Sequence, residues 1–560
     1  MAPSTTEAGG AMRVIAPWVI PGLVDVYLSF ARWPLPEPWQ YVFEIVLLTL
    51  AGRTQWKLAR GWGRSPLVPT AVLVFFAAAN HMPSGVWHLT VHVVGLCLLL
   101  MITLRWVARR WSVPSWVGVA ASILVVVVSR QLDVTVPSGP GAKHRASVAA
   151  ELLWPLDPAW RPESTSDAPA VVVISVDTLR ADAAADMDVV RRLGARGATW
   201  ARAMSTSSWT LPAAASLQTG LLPAAHRAGC VARDCQGIAD GVPILAEQLR
   251  ARGYATAAFV SNPWLTGATG FHRGFGLYVE PAGYNRLLIG GRPLRQRQDG
   301  RDLVDAALHW LERVPPRGFY LWVHLLEPHL PYLNTPISHT PVIHRETLRT
   351  SMPLDAEERA AVHAGYAAEV AYVDRHLGRL LDALEAKGIL DDGIVVFTSD
   401  HGEEFWEHGG VEHGQSHHAE VLDVPLIVVA PGLAPGPRDG VASLIDVVPT
   451  IRAAIGDAPD GIDLRRGVPA GRIATAWGGL LVRSDCSARD ERRRVIVRDC
   501  ADEERAVQVF DLRQDPAETS PIPWKPTEAV VAAARNVSAP PQGRAAPVDR
   551  ARLRALGYVE

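Results

Sequence analysis

Val171-Val172-Val173-Ile174-Ser175-Val176-Asp177-Thr178-Leu179-Arg180 sets the architecture of this chain. An almost unbroken apolar run ends in an acid. Short runs of this kind, bounded by polar residues, suit a strand buried on both faces, as in a parallel sheet. Asp177 then sits just past the carboxyl end of that strand, where open α/β sheets bind ligands. Ile394-Val395-Val396-Phe397-Thr398-Ser399-Asp400-His401-Gly402-Glu403 repeats the design, with histidine after the acid. The two strand ends read as halves of one metal site.

The chain has 560 residues, too many for one ordinary domain. Its net charge of −2 gives no global basic signature, so nucleic acid is not an expected partner. Cys97 lies in an apolar segment, whereas Cys230, Cys235, Cys486 and Cys500 lie in the polar part of the chain. Two close pairs suit short disulfide loops in an oxidising compartment, with nearest-neighbour pairing preferred among three connectivities.

Apolar segments occupy residues 14–30, 41–51, 66–79, 86–107 and 113–129. The fourth is long enough to span a bilayer alone. Arg53, Lys57, Arg60 and Arg64 follow the second segment, and Arg105, Arg109 and Arg110 cluster where the fourth ends. The loops at 32–40 and 80–85 carry only Arg32 between them. This alternation is the positive-inside pattern. It predicts a multi-pass transmembrane region over 1–131, with the amino terminus in the cytosol and the rest outside, in the periplasm or extracellular space. A linker is expected over 132–169, a catalytic domain over 170–470 and a carboxyl-terminal subdomain over 471–560.

Beyond the first strand, Asp188–Arg196 reads as a short helix, Val242–Arg252 as another, and Ala356–Lys387 as a long amphipathic one. Thr210-Leu211-Pro212 precedes an alanine-rich run closed by Gly220. Pro212 fits a first helical turn, which puts Thr210 at or before the helix amino terminus. Backbone N–H groups favour an anion there. A hydroxyl in that place is a candidate nucleophile, and an N-cap is the plainer alternative.

These pieces, in order, resemble the sulfatase family of the alkaline phosphatase superfamily. They include Val173–Asp182, Thr210-x-Pro212 with Thr219-Gly220-Leu221-Leu222-Pro223-x-x-His226, and Arg252-Gly253-Tyr254. Arg273-Gly274-Phe275-Gly276, Pro328-His329-Leu330-Pro331-Tyr332 and Ser399-Asp400-His401-Gly402-Glu403 follow. So do His413-Gly414, Val424-Pro425-Leu426-Ile427, Asp446-Val447-Val448-Pro449-Thr450, Phe510–Glu518 and Ala555-Leu556-Gly557-Tyr558. The resemblance implies a mixed sheet flanked by helices with a small carboxyl-terminal subdomain. Carried over by position, Asp177, Thr210, Asp400 and His401 hold a divalent metal, Thr210 is also the nucleophile, and His329 and His413 contact the substrate.

Two departures shape the expected chemistry. Sulfatases of the usual kind carry Cys or Ser at the nucleophile position, followed by x-Pro-Ser-Arg; here Thr210 and Ala213-Ala214 stand instead. Threonine has no route to formylglycine. Thr178 replaces the second of two adjacent aspartates, so zinc or manganese is expected over calcium.

His324, inside an apolar strand pattern, reads as packed core. Arg286, Arg292, Arg295, Arg297 and Arg301 read as a solvated loop. In the histidine-rich run after Glu403, His408 or His417 is a minor candidate for a second metal.

The expected function is hydrolysis of a sulfate or phosphate ester by a membrane-anchored, metal-dependent enzyme, with a lipid- or glycan-linked anionic ester as substrate and phosphodiesterase activity included. One rival is a transferase of phosphoethanolamine or phosphoglycerol type. The other is a non-catalytic, anion-binding membrane protein.

Overall fold

A computed structural model of the chain describes residues 162–231, 234–280, 300–330, 332, 355–458, 460–480, 484–500 and 506–540. The proposed transmembrane region 1–131, residues 132–161 of the linker, Arg286–Arg297 and Ala555–Tyr558 lie outside the described residues. No helix among the described residues is long and apolar enough to cross a membrane.

β1 is Val171–Val176, buried throughout. α1 follows at Asp188–Gly194, then β2 at Ala198–Met204 and α2 at Thr210–Thr219. α3 is Leu245–Ala251, β3 Ala255–Val260 and β4 Leu277–Val279. Then come α4 (Gly300–Leu311), β5 (Phe319–Leu325), α5 (Ala356–Ala386) and β6 (Ile394–Ser399). β7 is Asp423–Val429 and β8 Gly436–Pro437. Together the strands form one eight-stranded sheet in the order β8-β2-β7-β6-β1-β5-β3-β4. β1 pairs in parallel with β5 and β6, while β7 runs antiparallel to β6 and β2. This is the expected mixed α/β sheet.

Alternation along β1 sorts its side chains between two cores. Val171 and Val173 pack with Leu211, Leu217, Leu245 and Trp322, on the side of α2 and α3. Val172, Ile174 and Val176 pack with Val189, Trp310, Val373 and Leu380, on the side of α1, α4 and α5. Full burial of each such side chain contributes about 1.5–3 kcal/mol. Two-sided burial explains why the strand reads as one apolar run and not as an alternating one. Ser175 and Asp177 continue the Val171–Val173 phase and project towards α2.

α5 begins at Asp355, whose carboxylate accepts the Glu358 backbone N–H at 2.9 Å while Glu358 reaches back to the Asp355 N–H at 2.9 Å. Its stripe of Val362, Tyr366, Val370, Val373, Leu377 and Leu381 is core. α1 stops at Gly194, two residues before the expected end, and α3 starts at Leu245. There the extended Ile244 sits ahead of the first turn and Glu247 accepts its N–H at 3.2 Å.

A second, antiparallel sheet comprises β9 (Ala474–Trp477), β10 (Cys486–Arg489), β11 (Arg493–Val497) and β12 (Val507–Asp511). It is tied to the main sheet through buried charge. Asp423 of β7 pairs with Arg489 at 2.8 Å and with Arg494. Arg494 also meets Glu518 at 2.7 Å. Disulfides join Cys230 to Cys235 and Cys486 to Cys500, the nearest-neighbour pairing.

Candidate active site

Parallel register brings the two acids together. Val176 of β1 lies beside Ser399 of β6, so Asp177 and Asp400 leave neighbouring strands at the same level. Both are fully buried. Each divides its carboxylate in the same way. Asp177 Oδ2 takes donors, from Asn262 Nδ2 and from Thr210 Oγ1 at 3.4 Å, while Oδ1 has no hydrogen-bond partner among the described residues. Asp400 Oδ1 accepts the backbone N–H groups of His401 at 2.8 Å and Thr178 at 3.3 Å, while Oδ2 has no hydrogen-bond partner among the described residues.

His401 completes the set. Its Nδ1 lies 2.9 Å from the Gly402 carbonyl, which can only accept, so Nδ1 carries the proton. Nε2 then presents its lone pair 3.6 Å from Asp177 Oδ1, 3.4 Å from Asp400 Oδ2 and 3.3 Å from Thr210 Oγ1. Buried polar atoms without partners cost free energy unless something binds them. Two bare carboxylate oxygens with imidazole nitrogens of His401 and His324 beside them could hold a divalent cation.

The charges agree. Burial pushes Asp177 up, but the His324 contact and the neighbouring His329 and His401 outweigh it and hold the group down at about 2. Burial, and then the Asp177 charge, push Asp400 well above the carboxylate range. Two buried carboxylates side by side cannot both ionise cheaply. A dication between them would remove that opposition.

Thr210 is the first residue of α2, and Trp209, not Thr210, is the N-cap. The plain capping role therefore falls away, since Thr210 Oγ1 bonds to Asp177, His401 and Asn262 instead. α2 is buried along its whole length and ends at Gly220 in the left-handed region, φ 73°, with its N–H on the Ser216 carbonyl at 2.8 Å.

His329 and His413 stand nearby. The His413 ring is 4.4 Å from that of His401 and 5.0 Å from that of His329. Glu403 anchors His413 Nδ1 at 2.9 Å, and His329 Nδ1 meets the Leu330 carbonyl. All six residues expected from the sequence thus gather at the carboxyl ends of β1, β5 and β6 and the amino end of α2.

Two residues escaped the sequence reading. Asn262, just past β3, joins Asp177 to Thr210, with Nδ2 3.1 Å from the threonine oxygen. The signal was present, a polar residue just past the carboxyl end of a strand, but asparagine is not a typical ligand type. The apolar pattern around His324 predicts plain core. His324 is fully buried, yet its Nε2 lies 3.6 Å from Asp177 Oδ2. The residue faces the site because β5 places it beside Ser175.

Of the two histidines suggested for a second metal, His408 lies with Glu404 and Glu420 in a cluster whose ligand-type atoms fall within 4.8 Å of one another and stays a candidate, whereas both ring nitrogens of His417 are engaged. His408 contacts Glu420 through Nδ1 at 2.7 Å and the Ala517 and Glu518 carbonyls through Nε2 at 3.1 Å. His417 contacts Ser487 and the Gly478 carbonyl, at 3.1 and 2.7 Å. Of the arginine cluster, only Arg301 is described, in α4.

Comparison with known proteins bears on the fold and the family. The sulfatase family profile matches residues 169–456. Arylsulfatase K of Xenopus laevis is 31% identical over 151 residues, 26% of this chain and 25% of that protein. The low-salt glycan biosynthesis sulfotransferase Agl7 of Haloferax volcanii is 28% identical over 256 residues, 39% of this chain and 60% of that protein. The chain thus spans less than two thirds of the length of these curated relatives. Among solved structures, a 2-O GAG sulfatase superposes with a TM-score of 0.53 at 18% identity, over 65% of this chain and 90% of its own. The phosphonate monoester hydrolase of Agrobacterium radiobacter gives 0.50 at 23% identity, over 66% and 93%. With the profile covering more than half of its length, across both strand-end acids and the helix between them, this chain belongs to the sulfatase family.

Proposed function

We propose that this chain is a membrane-anchored, metal-dependent hydrolase that cleaves a sulfate or phosphate ester outside the cytosol, with Thr210 as nucleophile. The observation that carries the reading is the position of Thr210 Oγ1, 3.3 Å from His401 Nε2 and 3.4 Å from Asp177 Oδ2, at the amino end of a buried helix. Asp177, Asp400, His401 and Thr210 would hold the cation, manganese, zinc or calcium. Once bound, it supplies Lewis-acid stabilisation of an ester oxygen and makes a nearby hydroxyl more acidic.

The chain's own groups do the rest. Thr210 Oγ1 attacks sulfur or phosphorus in line with the leaving oxygen as its proton passes to Asp177 Oδ2, to which it donates at 3.4 Å, and Asn262 Nδ2 holds the oxygen on that axis. The α2 amino terminus offers N–H groups to the anion. His329 and His413 stabilise charge on the equatorial oxygens, or protonate the departing alcohol. Water then releases the acid from Thr210.

Sulfated glycans are the favoured substrate class. One structural relative is described in complex with D-glucosamine-2-N,6-O-disulfate as its substrate. Phosphorus esters stay in view because threonine cannot become formylglycine, and because a phosphonate monoester hydrolase shares the fold. The positive-inside pattern before residue 131 and the two disulfides support an extracytosolic domain. A second reading is transfer to an acceptor hydroxyl on an envelope lipid or glycan, favoured by the relative named as a sulfotransferase.

The test uses the full chain in detergent, loaded with manganese or zinc. Hydrolysis of an aryl sulfate and an aryl phosphodiester is compared with and without an added acceptor alcohol, with Thr210→Ala as control. Turnover that persists in Thr210→Ala would refute the mechanism. A product that carries the acceptor would favour transfer.

A further inference from the structure

We infer that His324 is a positioning residue of this centre: it turns a protonated Nε2 towards Asp177 and is not itself a metal ligand. The inference rests on reading Asp177, Asp400 and His401 as the ligands. Proximity alone points the other way. Asp177, His324 and Asp400 each offer a ligand-type atom, all three within 4.8 Å of one another. All three residues are completely buried. Counting protons separates the two roles.

Trp322 donates its indole N–H to Ser175 Oγ at 3.0 Å. Indole nitrogen can only donate, so Ser175 is the acceptor there. The hydroxyl proton of Ser175 must then point elsewhere. His324 Nδ1, 2.9 Å away, is the side-chain atom placed to receive it. A neutral imidazole that accepts at Nδ1 carries its proton on Nε2. That N–H faces Asp177 Oδ2 at 3.6 Å, a charge–dipole contact longer than a hydrogen bond, and among the described residues Nε2 has no hydrogen-bond partner. A nitrogen bearing a proton has no lone pair to offer a metal.

The environment of Asp177 agrees with this assignment. Asn262 and Thr210 hydrogen-bond Oδ2, which His324 Nε2 also faces at 3.6 Å, while Oδ1 has no hydrogen bond among the described residues and faces His401 Nε2 at the same distance. The carboxylate thus has a rear edge held by donors and a front edge left bare for the ion. His401 shows the opposite tautomer, with Nδ1 tied to a carbonyl and Nε2 unprotonated. The two histidines look alike by distance and differ in which nitrogen bears hydrogen. β-sheet register builds the difference in, because Ser175 and His324 lie side by side and Trp322 shares their face of the sheet. One imidazole nitrogen and a surplus of oxygen donors make the set harder than two histidines would, which favours manganese over zinc.

The test loads full-length protein in detergent with Mn(II) and counts coordinated imidazole nitrogens by pulsed EPR, alongside Mn(II) affinity. Wild type is expected to show one. In His324→Gln the side-chain amide N–H can replace Nε2–H, so the one-nitrogen signature and an affinity within about threefold of wild type are expected. His324→Leu removes the donor. It should keep the one-nitrogen signature but weaken Mn(II) binding about 10- to 100-fold. Ser175→Ala, which frees the tautomer, should weaken binding by a smaller factor. Two nitrogens in wild type falling to one in His324→Gln would overturn the inference, as would unchanged affinity in His324→Leu. Wild-type protein that takes up no Mn(II) would overturn the metal reading itself, and the role of His324 with it.

Discussion

Thr210 Oγ1 stands 3.3 Å from His401 Nε2, with the amino end of α2 on one side and the carboxyl end of β6 on the other. A hydroxyl in that place is either a nucleophile or a passive member of a polar cluster, and substitution separates the two. Thr210→Ala should lower kcat at least about 1,000-fold, as loss of a nucleophile does. Thr210→Ser keeps the hydroxyl and should stay within about tenfold of wild type. Steady-state rates on an aryl ester check both. Comparable activity in the alanine variant would mean that water, not Thr210, attacks.

The bare oxygens predict a dependence on bound metal. Chelation should abolish turnover, and re-addition of manganese or zinc should restore it. Because the ion binds the folded chain, it should also raise Tm by mass action. Asp400→Asn removes the charge at Oδ2 and should erase that thermal shift. Differential scanning with and without metal measures it. Equal shifts in wild type and Asp400→Asn would place the ion elsewhere.

How much of this was legible beforehand follows from the kind of signal each residue gives. Asp177 and Asp400 each end an apolar run that is buried on both faces, so composition alone located them. Thr210 was legible because Pro212 and Gly220 bracket a helix around it. His324 gave a misleading signal, since its neighbours in β5 are all apolar and a single strand does not reveal what lies beside it. Only pairing with Ser175 sets it against Asp177. Asn262 is a similar case, as its partners lie 52 and 85 positions away in sequence. Helix ends drifted by two or three residues because local capping, as at Ile244 and Glu247, fixes them.

Asp423 carries the junction between the two sheets. It faces Arg489 and Arg494, and Arg494 is fully buried. Asp423→Ala would leave two buried guanidinium groups with only Glu518 and backbone carbonyls for company. Breaking a buried pair in this way costs about 3–5 kcal/mol. Urea unfolding of the variant should show a loss of that order. A loss under about 1 kcal/mol would mean that water reaches the network and screens it.

His408, half-buried, predicts a pH dependence of opposite sign to that of the fully buried His417 and His226. Its two nitrogens face the Glu420 carboxylate and the Ala517 and Glu518 carbonyls, so both must carry protons. Its ring stacks on His418, centroids 3.5 Å apart, and His418 Nδ1 meets Glu518 Oε2 at 3.0 Å. Burial lowers its pKa, but Glu420 and then Glu518 outweigh that and raise it to about 9. A folded pKa above the ordinary 6.5 gives stability that is full below pH 6.5 and lost as pH rises through 9. His417 is held at about 4, chiefly by burial, and His226 at about 3 for the same reason. Their protonation favours the unfolded chain, so they lower stability as pH falls below 6.5. Stability should therefore decline on both sides of pH 6.5. In His408→Gln the alkaline decline should flatten while the acid decline persists, which Tm measured from pH 4 to pH 10 would show. An alkaline limb unchanged in the variant would mean that the contact between residue 408 and residues 517–518 holds without the proton.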